Sequence, residues 1–167
     1  MAWVERIAKL EGAIIALCSL FIAVAFSLVV IVRYIFHADL FAYEEIVLPI
    51  AFVLYFIGAA RASHDDTHIK ADLVLEGFKK HRSRLAYQIF IFCVEGLIAL
   101  IFTCLALKMF IAEFAKYPSM SKSMVYQIPL AAPRFFIFVG FLLMSLHSFV
   151  HAYRHIFLLR SSRSDRR

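Results

Sequence analysis

The chain has 167 residues, of which 63% are hydrophobic and 18 are Phe, and its mean hydropathy is +0.81. Those values lie outside the composition of soluble domains, so a soluble enzyme or soluble binding module is excluded, and the chain reads as an all-α integral membrane protein with four transmembrane helices and short interfacial amphipathic helices. A net charge of +6 would raise nucleic acid as a partner in a soluble protein, but here the basic residues stand at the ends of apolar runs, which assigns them to membrane topology and excludes nucleic acid.

Residues 1–11 mix Glu5, Arg6, Lys9 and Glu11 with Trp3, Val4, Ile7 and Leu10, the pattern of a short helix lying in the membrane interface. Residues 12–32 then carry no charge. A helix of that length crosses a hydrocarbon core of about 30 Å. The run is longer than the apolar region of a secretory signal, no Ala-x-Ala site follows it, and Leu17 before Cys18 is too large for lipoprotein cleavage, so it is retained as the first span, residues 12–33. Arg33 ends it, with Tyr34 and Phe36 at headgroup depth.

The second span covers residues 43–60. Glu44 and Glu45 form its first turn, where unpaired N–H groups and the positive end of the helix dipole favour carboxylates, and Pro49 close behind them is tolerated or produces a local kink. Residues 61–84 are the largest polar stretch. Within it Ala71, Val74, Leu75 and Phe78 follow helical spacing opposite Asp72, Glu76, Lys79 and Lys80, which predicts a surface helix with Glu76 and Lys80 as an i, i+4 pair.

The third span, residues 85–107, contains one acid, Glu95, followed by Gly96. Its helix extends to about Lys116 before Pro118 and the Ser-rich residues 119–123 stop it. The fourth span covers residues 130–153, and a Ser/Arg tail closes the chain. Cys18, Cys93 and Cys104 lie in apolar runs without CxxC spacing and read as small hydrophobes. With few Gly and Pro and no repeat, residues 1–167 form a single four-helix membrane domain.

Four spans put both termini and the loop between spans two and three on one side. Thirteen Lys and Arg fall there and five on the other, so the positive-inside rule predicts cytoplasmic termini.

Chemistry has few places to reside. Glu95 lies about ten residues into its span, near the bilayer middle, where an acid costs on the order of 2.5 to 3.5 kcal/mol and must point into protein or water. It reads either as a coupling-ion or proton site or, better, as a protonated carboxyl hydrogen-bonded to a neighbouring helix or a partner subunit. No second deep acid and no Gly-rich broken helix accompanies it to build a transport site. His147, His151 and His155 stand on one face of the last helix, which raises haem ligation, although the first three spans offer no facing His. The antiparallel arrangement of spans three and four predicts instead that His147 pairs with Glu95. His64, Asp65, Asp66 and His68 invite a metal but lack an accepted spacing and read as solvated loop residues. No enzyme motif and no cofactor signature is present.

In order along the chain, Arg33-Tyr34-x-Phe36, Glu44-Glu45, Gly58-Ala59-Ala60-Arg61, His68-Ile69-x-x-Asp72, Ile128-Pro129-Leu130 and Gly140 resemble the small membrane subunit of tripartite ATP-independent periplasmic (TRAP) transporters, the DctQ-like family. The resemblance spans essentially the whole chain. One departure is Phe41-Ala42-Tyr43, where the family usually has a Trp just ahead of the paired acids.

The resemblance implies a component of a bacterial inner-membrane symporter. A periplasmic binding protein captures an organic anion such as a carboxylate or sialic acid, a large membrane subunit carries the substrate and sodium sites, and the small subunit is its scaffold among the membrane lipids. On that implication Arg33, Tyr34, Glu44, Glu45, Arg61, His68, Asp72 and Glu95 are interface or structural residues, with Arg33 facing Glu44 or Glu45 across the first hairpin. A stand-alone four-helix membrane protein, either a b-type cytochrome or a small proton-coupled carrier using Glu95, is the other reading.

Overall fold

The structure, a computed structural model, describes residues 2–65 and 81–164. Four helices account for most of it: α1 (Ala2–Ile35), α2 (Glu44–His64), α3 (His81–Phe114) and α4 (Ala131–Ser164). Each is long and apolar enough to cross a membrane. Three of them have 34 residues, about 51 Å of helix, so they stand well beyond a hydrocarbon core of about 30 Å.

Each predicted span overlaps one of these helices, those over 43–60 and 130–153 starting one residue before α2 and α4, and the extra length has identifiable causes. The N-terminal amphipathic stretch is continuous with α1 instead of forming a separate interfacial helix. Val4, Ala8 and Glu11, one stripe at i, i+4, i+7, are each at most 3% exposed, so tertiary packing recruits this face into the fold. Helix α2 runs one turn past Ala60 and ends at His64, where the Asp65 N–H closes on the Arg61 carbonyl at 3.0 Å. Helix α3 ends at Phe114 and passes into turns over residues 115–118, as the Pro118 and Ser cluster predicts. In α4, Pro133 occupies the first turn, where its missing N–H costs nothing. The predicted surface helix, with Ala71, Asp72 and Glu76 to Lys80, lies outside the described residues, as do Asp66 and His68.

The helices pack in the order α1, α2, α4, α3, with the α3 to α4 contact the most extensive. Small residues set the approach distances, as packing between apolar helices in lipid requires. Gly140 of α4 meets α2 at Phe56, and a Cβ at Gly140 would stand 2.6 Å from the Phe56 Cβ and 3.0 Å from its carbonyl oxygen. Only a glycine permits that crossing. Ala60, Ala99 and Ala106 are likewise buried. Between α3 and α4, Ser145 Oγ donates to the Gly96 carbonyl at 3.1 Å, while Phe141 contacts both Phe56 (5.4 Å) and Phe102 (5.2 Å). Most other large apolar side chains point outward, including Leu17, Leu20, Val24, Leu97 and Ile101, as a surface facing lipid or another membrane chain demands.

Candidate functional site

The polar residues gather at the two ends of the helices. At the end that holds the start of α1 and the close of α4, Arg61 reaches from the last turns of α2 to α1. Its Nη1 donates to the Ala8 carbonyl at 2.5 Å and its Nε to Asp65 Oδ2 at 2.7 Å. Asp65 Oδ1 is also 2.8 Å from His64 Nδ1. The Arg61 hydrogen bond, with the His64 contact, holds the Asp65 carboxyl below the usual aspartate range.

Beneath this layer His147 of α4, 1% exposed, lies 3.0 Å from Oε1 of Glu11, 2% exposed, through Nε2. The predicted partner, Glu95, is elsewhere: its Oε1 accepts from Ser63 Oγ at 3.4 Å, and Ser63 Oγ stands 3.3 Å from Ser148 Oγ. The helical level was right and the face was not. On α4 the residues turned to α3 are Ser145 and Phe149, which meet Gly96, whereas His147 is turned to α1 and α2 and its ring lies edge-on to His64 at 5.0 Å. His151 Nε2 donates to the His64 carbonyl at 2.9 Å, satisfying one of the free carbonyls at the end of α2. Phe92 stacks on the rings of both His151 (5.2 Å) and His155 (5.4 Å). The three histidines of the α4 face therefore bind helices, and among the described residues no group of three or more His, Cys, Asp or Glu is arranged for a metal.

At the opposite end, where the α1–α2 and α3–α4 connections turn, two carboxylates organise the second connection. Glu45 accepts from Ser123 Oγ (2.6 Å), the Val125 N–H (3.0 Å) and the Tyr126 N–H (2.8 Å), and so ties the start of α2 to the loop before α4. Ser123 Oγ in turn accepts from the Ile128 N–H at 3.1 Å, and Gln127 takes a left-handed φ of 56° at the tip. Glu113, 2% exposed at the end of α3, accepts from the Ser121 N–H at 2.6 Å, forms an ion pair with Arg134 of α4, and has Lys116 Nζ at 3.6 Å.

Arg33 takes no part in this. It faces Asp39 at 3.6 Å, and with both side chains at least two-thirds exposed the pair is a surface one. The expected bridge from Arg33 to Glu44 or Glu45 is not formed: left-handed turns at His37 (φ 49°) and Ala42 (φ 59°) carry Asp39 to the arginine, while the Glu45 carboxylate serves the other loop. Glu44 and Tyr34 are exposed.

Of the residues singled out in the sequence, Arg61, Glu95 and Glu45 make hydrogen bonds to other elements, and Glu11, Glu113, Arg134 and Ser123, which were not singled out as site residues, do so too. Glu113 and Arg134 carried a signal, being opposite charges at the two edges of one connection. Glu11 carried none, since it sat among four charged residues of an apparent surface segment.

Each of these carboxylates joins the helix that bears it to another helix or to a loop. That is the chemistry of a fastening. Neither the curated proteins nor the solved structures gave a match to the chain. A family model, described as the DctQ component of tripartite ATP-independent periplasmic transporters, matches residues 22–158, from within α1 through nearly all of α4. With four membrane-spanning helices and a match over most of its length, the chain belongs to the DctQ family, the small permease component of TRAP transporters.

Proposed function

We propose that the chain is the scaffold subunit of a sodium-coupled TRAP transporter, holding the large permease subunit in the bilayer while a periplasmic binding protein delivers organic acids such as carboxylates or sialic acid. The observation that carries this reading is the use made of the acids in the helices. Glu11, Glu45, Glu95 and Glu113 are each hydrogen-bonded to another helix or loop of the same chain, which stiffens a frame. Family membership supplies the partners, and the substrate and sodium sites belong to the large subunit on this reading.

The chain would lie in the bacterial inner membrane with both termini in the cytoplasm, because thirteen of its eighteen Lys and Arg stand on that side. The Glu11, Arg61 and His147 end then faces the cytoplasm, and the Glu45 and Glu113 end faces the periplasm, where the loop over residues 121–130 offers Met124, Val125 and Tyr126 to the binding protein. Arg33, Tyr34 and Glu44, exposed at the periplasmic end of the first hairpin, are assigned to the large subunit or to lipid headgroups. Arg61 and Glu95 lock the frame, and His68 and Asp72 are assigned to the same cytoplasmic face.

Gentle extraction of the tagged chain from its native membrane tests the reading. A much larger multi-pass membrane protein is expected to co-purify in equal amount; recovery of the chain alone from intact membranes contradicts it.

A further inference from the structure

Helix α1 is fixed to the fold in an uneven way. None of its most apolar 18-residue stretch is buried, and Leu17, Leu20 and Val24 are all more than half exposed. Burial is concentrated in Val4, Ala8 and Glu11. Among the described residues two polar ties run from this segment to other helices, and they differ in what they specify. Arg61 binds the Ala8 carbonyl, and a carbonyl recurs at every residue, so that bond is indifferent to how α1 is placed along its axis. The Glu11 to His147 bond joins two particular side chains.

We propose that Glu11 is the register key of α1. Burial alone would be served as well or better by apolar side chains, since removing both partners of a buried polar pair is often neutral or stabilising. The pair here is also incompletely satisfied, as Glu11 Oε2 and His147 Nδ1 have no hydrogen-bond partner among the described residues. What the pair adds is discrimination between placements. Sliding α1 by one turn, about 5.4 Å, brings Ile7 or Ile15 to His147, and a three-residue slip brings Ala8 or Ile14. Each leaves a buried imidazole facing hydrocarbon, a cost that the native register avoids. Helix α1 offers many equivalent apolar surfaces and one acceptor at this level, so the acid decides which of them stands where. Glu11 precedes the segment that the family model matches, while His147 lies inside it, so the key is supplied from outside the matched region. The consequence is that Glu11 sets the height at which the uncovered span of α1 is presented.

The test is a distance measurement on the full chain in lipid nanodiscs, with Cys18, Cys93 and Cys104 replaced by Ser. Spin labels at exposed Leu10 of α1 and Tyr153 of α4 report the register, and labels at Phe90 of α3 and Tyr153 report the packing of α3 on α4. The native acid is expected to give one narrow α1–α4 distance. Glu11→Leu is expected to broaden it at least about twofold and add populations displaced by about one turn, ~5.4 Å, with the α3–α4 distance unchanged. Glu11→Gln, whose amide oxygen still accepts from His147 Nε2, is expected to keep the single distance. A single native distance in Glu11→Leu overturns the proposal. So does broadening of both distances, which would make Glu11 a residue of the whole fold, or a Glu11→Gln chain that slips as Glu11→Leu does.

Discussion

Replacing Gly140 by Ala adds one methyl at the α2–α4 crossing, and the geometry fixes its consequence. The new Cβ would sit 2.6 Å from the Phe56 Cβ and 3.0 Å from the Phe56 carbonyl oxygen, and because these atoms belong to the α2 backbone and its first side-chain carbon, no rotamer change relieves the overlap. Relief requires α2 and α4 to part by roughly 1 Å, a gap at which each contact loses a quarter to a half of its dispersion energy. Overpacking of this kind costs about 1–3 kcal/mol. At about 2–4 °C per kcal/mol for a chain of this size, the melting temperature of the detergent-solubilised protein should fall by about 2–12 °C. Gly58→Ala is the internal control. It adds the same methyl to α2 where nothing lies within 4 Å, and the gain in helix propensity, up to about 1 kcal/mol, should leave it neutral or slightly stabilised. If Gly140→Ala melts with Gly58→Ala, the close α2–α4 crossing is wrong.

Other outcomes follow from the polar ties. Glu45→Ala removes the acceptor for the Val125 and Tyr126 N–H groups, so hydrogen exchange at these two amides should accelerate at least about tenfold while α4 stays protected; unchanged protection would show that Glu45 does not hold the loop. Glu113→Ala leaves Arg134 without its carboxylate and should lower the denaturation midpoint clearly, whereas Arg33→Ala, at an exposed pair, should leave it nearly unchanged, and equal losses in denaturant titrations would contradict this ranking. The Asp65 carboxyl is held below its ordinary range by Arg61, so its contribution is complete above the unfolded value near pH 4 and is lost as pH falls through the folded value. Asp65→Asn should flatten that acid limb of the stability profile, and an unaltered limb would remove Asp65 from it.

The four helices could be read from the sequence because the bilayer writes its thickness into uncharged runs, and residues 12–32 show this most clearly. Helix length was less legible. Glu5, Arg6 and Lys9 made the first eleven residues look interfacial, yet the stripe of Val4, Ala8 and Glu11 is what docks. The pairing of the acids was the least legible, for a geometric reason. Sequence spacing gives the level of Glu95 and His147 along antiparallel helices, but the direction of each side chain around its axis depends on packing order, and a row in which α4 lies between α2 and α3 turns His147 away from Glu95. In the same way Arg33 and Glu45 stand at one end of the first hairpin, yet the loop from a distant part of the chain claims the carboxylate. The roles of Glu113 and Arg134 needed the fold, which closes the connection that separates them.

Uptake by purified components tests the central claim most directly. Proteoliposomes holding this chain together with its large membrane subunit, supplied with the binding protein and an inward sodium gradient, should accumulate the organic acid, and those holding either membrane chain alone should not. Accumulation by this chain alone, or full activity of the large subunit without it, would contradict the scaffold account.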